Sequence, residues 1–107
     1  MQINISSKHI DLTPAIEEFI NSKAEKLTRF FDRIEQIDVK IEKTTHGFTA
    51  EIISDIEHHN PIVSNNEDLD LYASIDGSID KSVRQLTDLK TRLRDQKHNT
   101  PTGGQDR

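Results

Sequence analysis

Cysteine and tryptophan are absent from this chain of 107 residues, and it has only three prolines, four glycines and five aromatic rings. Without cysteine there can be no disulfide and no thiolate nucleophile, a composition that suits a reducing cytoplasm. No apolar run approaches the roughly 20 residues that a membrane helix needs, so no membrane partner is expected. The opening MQINISSKHI has neither a charged n-region nor an apolar h-region, and no secretory signal is expected. Neither a glycine-rich phosphate loop nor a nucleophile elbow occurs. His46, His58 and His59 sit in polar turns, and adjacent histidines on an extended chain point apart, which is poor geometry for a metal. Asp55 and Glu57 flank a turn and are expected to face solvent rather than do acid–base chemistry. No catalytic constellation emerges, and no enzyme activity, cofactor, metal or small-molecule substrate is expected.

What the chain does have is charge, unevenly placed. The formal total is −5. From Met1 to Asp80, seven Lys/Arg stand against sixteen Asp/Glu; from Lys81 to Lys97, six Lys/Arg stand against two Asp, a net of +4 on one stretch. An acidic total argues against indiscriminate nucleic-acid binding, whereas a local basic stripe on an acidic body can dock a polyanion in one orientation. The length gives one domain. With an apolar fraction of 32% its core is modest, and Phe19, Phe30, Phe31, Phe48 and Tyr72 are expected to matter greatly to it.

The pattern along the chain is β-α-β-β-β-α. Ile3 and Ile5 alternate with polar neighbours in a short strand. Thr13 is a good helix N-cap with Pro14 at the first helical position. Ile16, Phe19, Ile20, Ala24, Leu27 and Phe31 then recur at helical spacing. Ile37, Val39 and Ile41 alternate in a second strand, and Phe48, Ala50, Ile52 and Ile56 in a third. The short link between these two predicts an antiparallel hairpin. Ile62 to Ser64 makes a last, short strand. From Asp68 to His98 runs one long helix, capped by Asp68 or Asp70, with its stripe at Leu71, Ile75, Ile79, Val83, Leu86, Leu89 and Leu93. Lys81, Arg84 and Arg92 fall opposite that stripe, and Lys90, Arg94 and Lys97 flank it in the last turns, where cations suit the helix dipole. Gly77 costs about 1 kcal/mol against alanine in a helix interior, which predicts a close approach to whatever it packs on. Tyr72 is expected to anchor the core at the helix start. Residues 98–107, rich in glycine, proline and polar side chains, are expected to form a disordered tail after a domain spanning 1–97.

One apolar face per element predicts an α+β two-layer sandwich: a four-stranded sheet with both helices on one face. The first strand crosses over through a helix, so it should pair parallel to a neighbour. The outer sides of the helices then form one surface carrying Lys23, Lys26 and Arg29 with Lys81, Arg84 and Arg92. A monomer is expected.

Several stretches resemble the family of ribosome hibernation-promoting factors, ribosome-associated inhibitors and sigma-factor modulation proteins. MQINISSKHIDLTPAI resembles its first strand and helix start, KLTRFFDRI its helix end and GFTAEI its third strand. DLYASIDGSIDKSVRQL resembles its most telling motif. The order and spacing of these pieces over nearly the whole chain make the resemblance specific, and it is to the short form of the family. It implies a fold similar to double-stranded-RNA-binding domains. It also implies binding to ribosomal RNA in the messenger and transfer RNA channel of the small ribosomal subunit, halting translation in stationary phase or stress. The family's RNA contacts carry over by position to Lys23, Lys26, Arg29, Lys81, Arg84, Lys90, Arg92, Arg94 and Lys97. Departures fall at Ser82 and Val83, where the family has a large apolar and a basic residue, and at Asp88, where it often has lysine. Asp88 stands one turn from both Arg84 and Arg92 and is expected to pair with each. The alternative is a protein-binding regulator, for example of an alternative sigma factor, that uses the acidic body and touches no RNA.

Overall fold

The computed structural model describes residues 2–98, with side chains through residue 94. The proposed tail from 99 onward, and the side chains of Lys97 and His98, lie outside the described residues. Strand β1 (Gln2–Lys8) leads to helix α1 (Pro14–Phe30), then β2 (Ile34–Thr44), β3 (Gly47–Ile56), β4 (Ile62–Asp68) and helix α2 (Leu71–His98). The sheet order is β1-β2-β3-β4, with β1 parallel to β2 and the other pairs antiparallel.

Local chemistry sets the boundaries. Thr13 holds the start of α1, its Oγ1 accepting from the Ile16 N–H at 3.2 Å. The two-residue turn Thr45–His46 closes the β2–β3 hairpin onto Gly47, whose φ of 153° and contact with the Asp68 carbonyl leave no room for a Cβ. Asp70, not Asp68, caps α2: its Oδ2 accepts from the Ala73 N–H at 2.9 Å, and its carbonyl takes the Ser74 N–H at 3.0 Å. Asp68 braces that cap by accepting from the Asp70 N–H at 3.0 Å.

Both helices cover one face of the sheet. Ile16, Ile20, Ala24 and Leu27 of α1 and Leu71, Ile75, Ile79, Leu86 and Leu89 of α2 close over Ile37, Val39, Ile41, Ala50, Ile52, Ile56 and Ile62. The core is aliphatic. Of the five rings only Phe31 is buried; Phe19, Phe30 and Phe48 are half-buried and Tyr72 is exposed. Tyr72 is therefore not the expected core anchor, because its helix position turns it toward α1, where it packs edge-on against Phe19 with ring centroids 4.8 Å apart. Strand β4 also exceeds the expected Ile62–Ser64. Asn65, Asn66, Glu67 and Asp68 have poor strand propensity, but pairing with Glu51, Ala50, Thr49 and Phe48 overrides it.

Beneath the first half of α2 lies a polar seam. Ser74, Ser78 and Ser82 are buried and face the sheet. Ser64 Oγ of β4 donates to the Ser78 carbonyl at 2.9 Å and lies 2.6 Å from Ser82 Oγ. A Cβ on Gly77 would strike the Asn66 side chain, whose Nδ2 donates to the Ser74 carbonyl at 3.4 Å. This is the close approach that the helical glycine predicted.

Candidate nucleic-acid interface

The strand order makes the two helices run in the same direction, each returning antiparallel to its preceding strand. Their contacts follow in step: Phe19 with Tyr72, Lys23 with Asp76, and Phe30 with Lys90. The C-terminal ends of both helices therefore share one end of the layer. Their orphan carbonyls make that end negative, and cations placed there are favoured.

The structure divides the nine candidate cations into groups. Lys26 and Arg29 of α1 and Arg84, Arg92 and Arg94 of α2 are exposed, and none meets a protein acceptor among the described residues. Lys23, Lys81 and Lys90 differ. Lys23 Nζ is 3.0 Å from Asp76 Oδ1, half-shielded between the helices and 5.2 Å from the Phe19 ring centroid. Lys81 Nζ donates to the Asn65 carbonyl of β4 at 2.7 Å, so it reaches over the sheet edge rather than directly outward. Lys90 Nζ donates to the Phe30 carbonyl at 3.2 Å and lies 4.8 Å from that ring's centroid. The side chain of Lys97 is outside the described residues.

Asp88 corrects an expectation. Among the described residues the one Lys/Arg–carboxylate contact within 4 Å is Lys23–Asp76; Asp88 pairs with neither Arg84 nor Arg92. It instead lines a shallow groove with Ile62, Gln85, Thr91 and Arg92 at the β4 flank of α2. An exposed i,i+4 pair gains only about 0.3–0.5 kcal/mol, too little to hold long side chains in one geometry. The arginines are left free to meet an external anion.

The opposite face of the sheet is uncovered and differs in charge. The pairing places Asp38, Glu42, Glu51, Asp55 and Glu67 on it, against Lys8 and Lys40. Both lysines stand beside an acid, Lys8 opposite Glu42 and Lys40 opposite Glu51. The helices also carry acids, Glu17, Glu18, Glu25, Asp76, Asp80 and Asp88, but their exposed arginines gather toward the C-terminal ends, where Arg84, Arg92 and Arg94 have only Asp88 among them. Sequence reading missed Gln85, whose Nε2 donates to the Val63 carbonyl at 2.9 Å. Its four-residue spacing from Lys81 was the available signal.

The domain is thus a two-layer β-α-β-β-β-α fold with an acidic sheet face and with exposed cations gathered toward the C-terminal ends of its helices. A family model described as sigma 54 modulation protein / S30EA ribosomal protein matches residues 3–94, and the chain belongs to that family. It is 43% identical over 98 residues to the ribosome hibernation promoting factor of Escherichia coli (strain K12), covering 88% of this chain and 98% of that one. It is 37% identical over 95 residues to the ribosome hibernation promoting factor of Azotobacter vinelandii, covering 80% of this chain and 79% of the relative. Among solved structures, the N-terminal domain of Protein Y from Thermus thermophilus superposes with a TM-score of 0.73 at 27% identity, over 83% of this chain and 99% of that one. A ribosomal subunit interface protein from Coxiella burnetii superposes with a TM-score of 0.79 at 21% identity, over 85% and 99% of the two chains, and shows the same fold. Among the described residues, no helix is long and apolar enough to cross a membrane.

Proposed function

We propose that this protein is a ribosome-binding hibernation factor. It acts as a monomer in the cytoplasm and inhibits translation by occupying the messenger and transfer RNA channel of the small ribosomal subunit in stationary phase or stress. The observation that carries this reading is the set of exposed cations on the helix face, Lys26, Arg29, Arg84, Arg92 and Arg94, which have no acceptor of their own within the described fold. The kinship to ribosome hibernation promoting factors supports the ribosome as the partner.

Inhibition of this kind makes and breaks no bond. The arginines and lysines meet phosphates along folded ribosomal RNA, whose deep, narrow major groove favours backbone and shape contacts over base reading. The acidic sheet face turns away from the RNA and fixes the orientation of docking. Where the domain lies, messenger and transfer RNA cannot.

The test is competition on purified small subunits. Adding the protein should release bound messenger and initiator transfer RNA and stop translation in vitro in proportion to occupancy. Binding without displacement would put the domain elsewhere on the subunit. No binding at all would favour the protein-binding regulator.

A further inference from the structure

Helix α2 is tied on both flanks by side-chain donors. On one flank, Lys81 Nζ donates to the Asn65 carbonyl at 2.7 Å and Gln85 Nε2 to the Val63 carbonyl at 2.9 Å. Strand β4 is an edge of the sheet, where backbone groups lack a neighbouring strand and stand open. These two carbonyls, two residues apart, receive donors from successive turns of the helix. On the other flank, Lys90 Nζ donates at 3.2 Å to the carbonyl of Phe30, the last residue of α1. That carbonyl is one of the four that a helix leaves without an internal partner. The three ties sit on residues 81, 85 and 90. Arg84 is interleaved with them and Arg92 and Arg94 follow, all exposed.

We propose that Lys81, Gln85 and Lys90 are positioning residues for ribosome binding, not phosphate contacts. They fix the rotation and height of α2 between β4 and α1. In doing so they set the spacing of Arg84, Arg92 and Arg94 against Lys26 and Arg29. The inference rests on the ribosome-binding reading above and divides its cations by task. A polyphosphate surface on folded RNA is rigid, so a small rotation of α2 spoils the hydrogen-bond geometry of its arginines on the phosphates, while each guanidinium stays within the condensed counterion layer and still displaces counterions. Gln85 is the most telling member: it carries no charge, so any effect it has on binding comes through position.

The two tasks have different signatures in salt. A cation that neutralises a phosphate releases counterions and contributes about 0.7–0.9 to the slope of log K against log salt concentration. A positioning residue changes affinity and leaves that slope alone. The experiment measures small-subunit affinity across a salt series for the wild type, Arg84→Gln, Lys81→Met, Gln85→Leu and Lys90→Met. Each variant's melting temperature is recorded, and binding is measured well below it. Arg84→Gln should lower the slope by about 0.7–0.9 with the melting temperature unchanged. Lys81→Met, Gln85→Leu and Lys90→Met should each weaken binding several-fold with the wild-type slope, and Lys90→Arg, which keeps a donor, should restore affinity. Two outcomes overturn the proposal. One is a fall in slope for Lys81→Met or Lys90→Met equal to that of Arg84→Gln, which makes the lysine a phosphate contact. The other is an unchanged affinity for Gln85→Leu beside a lowered melting temperature, which makes the tie merely structural. A wild-type curve with no salt-dependent binding would instead bring down the ribosome-binding reading, and this inference with it.

Discussion

From Leu71 to Ser82, α2 packs on the sheet through Leu71, Ile75 and Ile79 and adds a flank of three buried serines and a glycine; from Val83 onward it rests on Leu86 and Leu89 with no buried serine. The first half lies close to β4, with Ser64 bonded to Ser78 and Ser82 and Asn66 filling the space over Gly77. It carries Asp76 and Asp80 and points its aromatic contact at α1. The second half has no buried serine beneath it and carries Arg84, Arg92 and Arg94 outward. The difference teaches how one helix divides its work. Directional hydroxyl bonds at short range hold the first half in one register on β4. Beneath the second half the packing on Leu86 and Leu89 is aliphatic and non-directional, its directional ties lie at the flanks on Gln85 and Lys90, and its outer side is left to cations.

Mutations can break this contrast, and the largest expected effect falls on the leucine half. Leu86 is fully buried, and Leu86→Ala should cost about 2–5 kcal/mol in denaturant melts, as should Phe31→Ala beneath the end of α1. Losses under about 1 kcal/mol would mean that the second half is not held by packing. In the serine half, Ser64→Ala strands the hydroxyls of Ser78 and Ser82, and should cost about 1–3 kcal/mol. Adding Ser82→Ala should then cost less than it does alone, because the two share one bond.

Gly77→Ala sharpens the comparison. Helix propensity alone would favour alanine by about 1 kcal/mol, but its Cβ displaces Asn66 and breaks the bond to Ser74. The substitution should be destabilising in the wild type and stabilising in an Asn66→Ala background, a sign change that thermal melts of the cycle can read. The smallest stability effect belongs to the outer surface. Asp88→Lys should change stability by no more than about 0.5 kcal/mol, since Asp88 is exposed and pairs with neither neighbouring arginine. It should nevertheless tighten small-subunit binding by replacing a carboxylate that repels phosphate.

The fold was largely legible. The alternation of Ile37, Val39 and Ile41 and the stripe of Leu71, Ile75, Ile79, Val83, Leu86, Leu89 and Leu93 depend only on backbone period, and all are buried except Val83 and Leu93, which are half-buried. Gly77 announced a close approach because a helix tolerates it only for a reason. The serine seam was not legible. A hydroxyl at a helix position reads as outward until a partner such as Ser64 is known, so Ser82 looked like a lost apolar residue rather than half of a hydrogen-bonded pair. The length of β4 escaped because tertiary pairing overrode the weak propensity of Asn65 to Asp68. The cations could be placed on the helices from the sequence, but which of them the fold ties to a carbonyl or a carboxylate could not. Lysine stems are long and flexible, and whether Lys23, Lys81 or Lys90 ends on solvent or on a carbonyl depends on neighbours distant in sequence.

The central claim is that the helix face, not the sheet face, meets ribosomal RNA. Its most direct test is the affinity of purified small subunits for two charge reversals, compared at two salt concentrations. One variant carries Arg84→Glu with Arg92→Glu on the helix face; the other carries Lys8→Glu with Lys40→Glu on the sheet face. The helix-face variant should lose most of its affinity and much of its salt dependence, with the melting temperature unchanged. The sheet-face variant should bind as the wild type does. Equal losses from the two variants, or a greater loss from the sheet-face variant, would contradict the assignment of the RNA-binding face.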